Sequence, residues 1–355
     1  MHFVKNWDVI IVGGGIIGLS LSIALRKRGA SVLVVERGEP GREASHAAGG
    51  MLVDCLLETK PALQALATAS AKMYPEFAYE LEVESDMKVD LRDYGTILFL
   101  PSEHFDRAAE FSAAQLPMME PALAEGDDLS QAIYLKERSV DPRALTAAAL
   151  KTAKNRGVDF SSGDEVTAVN FSDDHASGVT TTKTSFLAAK MVNCAGAWSG
   201  QIAPHTFPTR PVKGQMLCLA MPTRNLIKHV IRSPHAYLIP RSDGRLLVGA
   251  TVEEAGFDKR VDRETIQRLH KAAIALVPKL SDARILENWA GLRPGTPDAL
   301  PILGATATPG YYVATGHFRD GILLAPITAA VMADVLEGLN CGFDLSPFSP
   351  SRFPL

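Results

Sequence analysis

Apolar residues run unbroken from Val9 to Val12 behind Asp8 and stop at three glycines, Gly13 to Gly15. Such a run, closed by glycine, predicts a parallel strand buried on both faces. Past Gly15 the period changes: Ile17, Leu21, Ala24 and Leu25 recur at helical spacing until Gly29. Ser31-Val-Leu-Val-Val35 returns to strand and ends at Glu36, so the first 36 residues form one strand–helix–strand unit. The uncharged stretch from Val9 to Leu25 has 17 residues, short of the ~20 that a membrane-spanning helix needs. Glycines interrupt it, and neither a basic leader nor a small-residue cleavage site frames it, so a buried strand and helix are expected.

Further on, 61–81 reads as helix and 90–100 as strand. Alanine-rich helical pieces follow at 105–115, broken by Pro117 and Pro121. Asp141-Pro142 opens a helix through Leu145, Ala149 and Leu150 to Gly157, with proline where its missing N–H costs nothing. Strands are predicted at 158–160, 165–171 and 189–193. From 209 to 252 strand patterns dominate, and 237–240 and 245–250 flank Ser242-Asp243-Gly244 as a hairpin. A helix runs from Asp262 to about Val277, stopped by Pro278. An extended segment at 284–292, a Pro/Gly-rich loop at 293–301, a strand at 311–315 and a helix at 321–336 complete the chain. Nucleotide-type elements at the start, middle and end enclose β-rich material. The expected fold is therefore α/β, a Rossmann-type domain interwoven with a β-rich α+β domain.

Length agrees, since 355 residues suit two domains at roughly 150 each. With 46% hydrophobic and 21% charged residues the chain is neither disordered nor fibrous. A net charge of −4 leaves no electrostatic footprint for nucleic acid or anionic membrane. Cys55, Cys194, Cys218 and Cys341 form no CxxC pair, so neither a disulfide framework nor a zinc site is expected, and a cytoplasmic location fits. The histidines show no HxxxH or HExxH spacing, so no metal site is expected. In Gly196-Ala-Trp-Ser199-Gly200 the serine stands one position late for a nucleophile elbow.

Gly13-x-Gly15-x-x-Gly18 lies between a predicted strand and helix. Gly13 permits the tight turn, Gly15 lets a diphosphate approach the backbone, and Gly18 lets helix and strand pack closely. The helix N-terminus offers free N–H groups to the diphosphate. Glu36 follows Gly18 by 18 residues, where it can accept hydrogen bonds from ribose hydroxyls and disfavours a 2′-phosphate. NAD or FAD is thus favoured over NADP, against the plainer reading of a structural glycine turn.

The stretch Gly41-Arg-Glu-Ala-Ser-His-Ala-Ala-Gly-Gly-Met51 narrows the choice, because small residues in series let a flat ring lie against the main chain. It resembles the flavin-covering segment of the D-amino-acid oxidase superfamily, and most closely that of the glycine oxidases. Asn193-Cys-Ala-Gly-Ala-Trp-Ser199, Pro211-Val-Lys-Gly-Gln215, Tyr237-Leu-Ile-Pro-Arg241, Gly249-Ala-Thr251, Gly291-Leu-Arg-Pro-Gly-Thr-Pro-Asp298 and Gly316-His-Phe-Arg-Asp-Gly-Ile-Leu-Leu324 extend the resemblance over nearly the whole chain. It implies non-covalent FAD, with the FAD-binding domain at 1–80, 138–205 and 294–355 and the substrate domain at 81–137 and 206–293. Ile16 and Ile17 then lie on the diphosphate turn, Glu36 and Arg37 at the adenosine, and Val166 near the adenine. Ser45, Gly49, Gly50 and Met51 line the flavin. His317, Phe318, Arg319, Asp320, Gly321, Ile322 and Leu323 pass along its ring. Arg293 and Tyr237 resemble the pair that holds a substrate carboxylate, Arg319 a second basic residue near the substrate, and His235 a pocket-lining histidine.

Chemistry supports the arginine independently, since a guanidinium offers a carboxylate a permanently charged two-point fork. The plainer readings are an Arg293 paired with Asp298, a core Tyr237 and a His317 that caps a helix. The resemblance implies oxidation of glycine or another small amino acid or amine to the imino acid, then oxo acid and ammonia. It also implies O2 reduced to H2O2, a place in thiamine (thiazole) biosynthesis, and leaves a homo-oligomer possible. Open alternatives are a D-amino-acid or sarcosine/proline-type dehydrogenase with another acceptor, a tRNA-modifying oxidase domain, and a non-catalytic flavin protein. After Met51 the chain departs from the glycine oxidases: Leu52-Val-Asp-Cys-Leu-Leu-Glu58 replaces small residues and glutamates over the pocket entrance. This segment is expected to alter the substrate range.

Overall fold

The computed structural model describes residues 6–55, 58–100, 116–124 and 132–353. The expected helical pieces at 105–115 and the entrance residues Leu56 and Leu57 lie outside them. Five strands form the spine of the first sheet, in the order Tyr311–Thr315, Ser185–Asn193, Asn6–Val12, Val32–Glu36 and Asp159–Ser162, all parallel. Ile302–Ala305 adds an antiparallel edge, and the antiparallel strands Val166–Ser172 and His175–Thr181 join beside Ser185–Asn193. Alternation in the first strand explains the unbroken apolar run. Val9 and Ile11 enter the core beneath the helices, while Ile10 and Val12 enter a second core on the other face.

The helices Ile16–Lys27, Gln64–Ser85, Pro142–Asn155 and Gly321–Glu337 pack together on one face. The last contains Pro326, which cannot donate to the carbonyl of Ile322 four residues earlier. Tyr74 of the neighbouring helix donates its hydroxyl to that carbonyl instead. One turn away, Ser70 Oγ donates to the Leu323 carbonyl at 2.6 Å and accepts from the Ile327 N–H at 3.4 Å. Two buried hydroxyls thus repair the break next to the segment expected along the flavin.

The second sheet runs Arg284–Gly295, Arg210–Ala220, Arg245–Gly249, Tyr237–Pro240, Val230–Arg232, Thr96–Phe99 and Ala132–Leu135. Its outer face (Leu217, Leu219, Ile231, Leu238, Val248) packs on the helix Arg263–Leu276, whose start is capped by Asp262 accepting from the Thr265 N–H. The inner face (Met216, Cys218, Tyr237, Ile239, Leu247) turns toward Met51 and the first sheet. The chain crosses between the sheets repeatedly, as expected of two interwoven units.

Three local expectations are corrected. The strand foreseen at 90–100 shrinks to Thr96–Phe99, because Asp90 (φ 52°) and Gly95 (φ 88°) break the extended backbone. The loop foreseen from Arg293 begins later: the strand continues to Gly295, held by pairing of Arg293 with Val212 and Gly295 with Arg210. The strands His175–Thr181 and Ile302–Ala305 were absent from the expected elements, their patterns being short and rich in polar residues or glycine.

Candidate active site

Both sheets open onto one cleft of about 1490 Å³, larger than the ~300–1,000 Å³ typical of small-molecule pockets. At one end, Gly13 leaves the first strand with φ +109°, and a Cβ there would stand 2.5 Å from the Cys194 carbonyl oxygen. Glycine is therefore required for the turn. Gly15 precedes the helix Ile16–Lys27, and Gly15, Ile16 and Ile17 line the cleft. The first N–H groups of that helix lack partners within it and carry the positive end of its dipole. That of Ile16 donates to Ser45 Oγ at 2.9 Å, so Ser45 closes on the glycine turn itself. Gly18 does not line the cleft; it packs against the Gly13 carbonyl and Ile11, the close helix–strand contact expected of it.

Glu36 is buried at the end of its strand and lines the same end of the cleft. Its carboxylate accepts from the N–H groups of Gly14 (2.8 Å) and Gly38 (2.9 Å), fixing both loops around it. The Arg37 guanidinium lies 3.5 Å over the Trp198 ring and pairs with Glu43 at 3.2 Å. Trp198 packs in turn on Phe257. Sequence reasoning missed this platform, although Trp198 stood within a quoted motif. Val166 lines the cleft here as well, and Gly49, Gly50 and Met51 line its middle. Arg241, almost wholly buried, holds the Gly49 carbonyl from behind at 2.6 Å.

The segment from His317 to Ile322 forms the far wall. The Phe318 N–H donates to the Pro294 carbonyl at 3.0 Å, tying this segment to the second sheet. His317 is buried with Nε2 3.1 Å from Thr328 Oγ1, and burial pushes its pKa down to about 3, so the imidazole is neutral. Burial raises the Asp320 carboxyl to about 6. The Leu323 side chain packs into the helix core behind this wall.

On the inner face of the second sheet, Arg293 Nη1 donates to the backbone carbonyls of Thr251 (3.1 Å) and Lys213 (3.3 Å). A Cβ on Gly214 would stand 2.3 Å from its Nη2, so a bare strand at that point lets the guanidinium lie flat. The Tyr237 ring lies over Gly249, its hydroxyl directed to Arg293 and 3.9 Å from Met216 Sδ. Burial lowers the Arg293 pKa, with Tyr237 acting against it. Burial likewise raises that of Tyr237, with Arg293 opposing. Glu253 is taken up by Lys213 (3.7 Å), Gln215 and Thr251, and no carboxylate among the described residues forms an ion pair with Arg293. The plainer pairing with Asp298 fails, since that acid binds Arg352 at 2.8 Å. Arg319 is exposed at the far wall, close enough to act on both Arg293 and Tyr237. His235 is exposed at the rim. Among the described residues no group of His, Cys, Asp or Glu is placed to hold a metal, and no helix is long and apolar enough to cross a membrane.

A glycine turn at the crevice of a parallel sheet, facing a second sheet whose arginine has no ion-pair partner among the described residues, defines a dinucleotide-dependent enzyme of the two-sheet type. Residues 8–335 match the FAD dependent oxidoreductase family (DAO), and the chain belongs to it. It is 31% identical to the glycine oxidase of Pseudomonas aeruginosa, across 97% of this chain and 98% of that protein. It is 34% identical to the bifunctional protein ThiO/ThiG of Trichormus variabilis across 98% of this chain, and spans 55% of that longer protein. The crystal structure of glycine oxidase from Geobacillus kaustophilus superposes with a TM-score of 0.93 at 31% identity, covering 99% of this chain and 100% of that one.

Proposed function

We propose that this chain oxidises the carbon–nitrogen bond of glycine or another small amino acid or amine. The substrate loses two electrons and two protons to become the imino acid, which water hydrolyses to an oxo acid and ammonia. Dioxygen accepts the electrons and protons to give hydrogen peroxide. FAD, when bound, supplies the two-electron redox capacity that no amino-acid side chain provides. The observation that carries this reading is Arg293: a cationic fork on the cleft wall, held by carbonyls and Tyr237 and joined to no carboxylate among the described residues.

The residues present fit FAD. The turn at Gly13 to Ile17 with Ser45 suits the diphosphate, Glu36 and the Arg37–Trp198 stack the adenosine, and Ala44 to Met51 with His317 to Ile322 the ring system. Residues 1–80, 138–205 and 294–355 serve that group, while 81–137 and 206–293 serve the substrate. Arg293 and Tyr237 bind the carboxylate, Arg319 adds positive potential, and the neutral His317 adds no charge beside them. Tyr237 and Met216 close the floor and exclude water from the reacting carbon. No side chain is assigned as general base, because an amine bound in its neutral form has no proton to surrender first. A cytoplasmic site of action and a role in thiazole synthesis fit the same reading. A screen of glycine, sarcosine, D-alanine, D-proline and larger D-amino acids with peroxide and ammonia detection tests it. Turnover of the smallest members is expected; silence across the panel refutes it.

A further inference from the structure

The inner face of the second sheet carries another arginine that the reading above leaves without a task. Arg232 pairs in register with Tyr237, next to it on the adjacent strand, and shares its face. Arg293 reaches Tyr237 from the opposite side, across Gly214. Arg232 therefore stands beyond Tyr237 by one strand spacing, about 4.8 Å, at the distal wall of the same cleft. Its side chain is 8% exposed and bridges two carboxylates. Nη2 holds the buried Glu137 at 2.9 Å, and Nη1 holds Glu58 at 2.5 Å. Glu58 is 42% exposed and ends the segment Leu52 to Glu58, which is expected from the sequence to lie over the pocket entrance. Nε is buried and without a partner among the described residues.

We propose that Glu58 occupies the distal end of the substrate pocket as a built-in carboxylate and selects against amino acids with acidic side chains. One cation between two anions leaves the wall with a net negative charge. A substrate's second carboxylate arriving there meets like charge and must displace Glu58 from a nearly buried partner before it can bind. Glycine and small neutral amino acids do not reach the wall. Glu137 is too deeply buried to yield, so Glu58 is the exchangeable partner. With Glu58 neutral, Arg232 keeps its charge balanced by Glu137 and has an Nη group to offer an incoming carboxylate.

This inference rests on the small-amino-acid reading for its substrate, but its test is separate. In the FAD-loaded protein, calorimetry compares succinate and glutarate with propionate and butyrate for the wild type and for Glu58→Gln. The substitution is expected to tighten the dicarboxylates at least tenfold and to move the monocarboxylates less than twofold. Adding Arg232→Gln to Glu58→Gln should abolish that gain. In turnover, Glu58→Gln should raise kcat/KM for glutamate or aspartate relative to glycine by a similar factor. Equal shifts for mono- and dicarboxylates, or no shift at unchanged flavin content, overturn the proposal. Dicarboxylate tightening in a protein that turns over no amino acid refutes the oxidase reading and leaves the distal-wall assignment standing.

Discussion

Arg293→Ala removes a half-buried guanidinium while leaving the strand around it paired with Val212. Its present partners are two backbone carbonyls and a tyrosine hydroxyl, so the substitution strands no carboxylate among the described residues. The loss thus reports mainly on the substrate carboxylate. Removing one partner of a desolvated charge pair costs ~2–5 kcal/mol. Because the guanidinium faces the cleft, the lower part of that range applies, about 2–3 kcal/mol, or roughly 30- to 150-fold in affinity. KM for glycine, measured by initial rates of peroxide release, should rise by that factor with bound FAD unchanged. Arg293→Lys restores charge without the two-point fork and should recover only part. Gly214→Ala is the geometric counterpart, placing a Cβ where Nη2 now lies. It should raise KM without altering any charge. Amines that lack a carboxylate should be little affected in all three variants. Equal losses for amines and amino acids would refute the assignment and move it to Arg319.

Other expectations follow from the same geometry. Tyr74→Phe leaves the Ile322 carbonyl facing Pro326 without a donor and should cost ~1–3 kcal/mol in urea unfolding; an unchanged midpoint would show that the helix repairs itself. Burial raises the Asp320 carboxyl to about 6, above its unfolded value of ~3.9, so the folded state holds the extra proton. Apoprotein stability should therefore be greatest below pH ~4 on this account and fall as pH rises through about 6, and Asp320→Asn should flatten that stretch; parallel pH curves for the two proteins would contradict the assignment. Cys194 is the cysteine that lines the cleft, and burial raises its thiol pKa well above the ordinary value, which disfavours covalent attachment. Acid precipitation should accordingly release the yellow colour, and flavin retained in the pellet would disprove non-covalent binding.

The dinucleotide half was legible because its determinants are local. Strand, turn and helix follow one another within the first 36 residues, and Gly13 makes in the fold the tight turn its spacing announced, with Glu36 at the end of the second strand. The Arg293–Tyr237 pair lies 56 positions apart and came from resemblance; a long antiparallel pairing and two bare glycine positions bring the side chains together. Arg232 carried a signal that went unused, a charged residue ending the apolar Val230-Ile231 strand. Its partners Glu58 and Glu137 could not be read from spacing, because they meet it only through the tertiary fold.

Anaerobic mixing of the purified yellow protein with glycine tests the central claim most directly. The account predicts loss of the oxidised-flavin absorbance with glycine, at a rate that saturates with glycine concentration, and recovery of the colour when air is admitted. A flavin that stays oxidised under glycine and under every small amino acid tried, in a protein fully loaded with FAD, would contradict it.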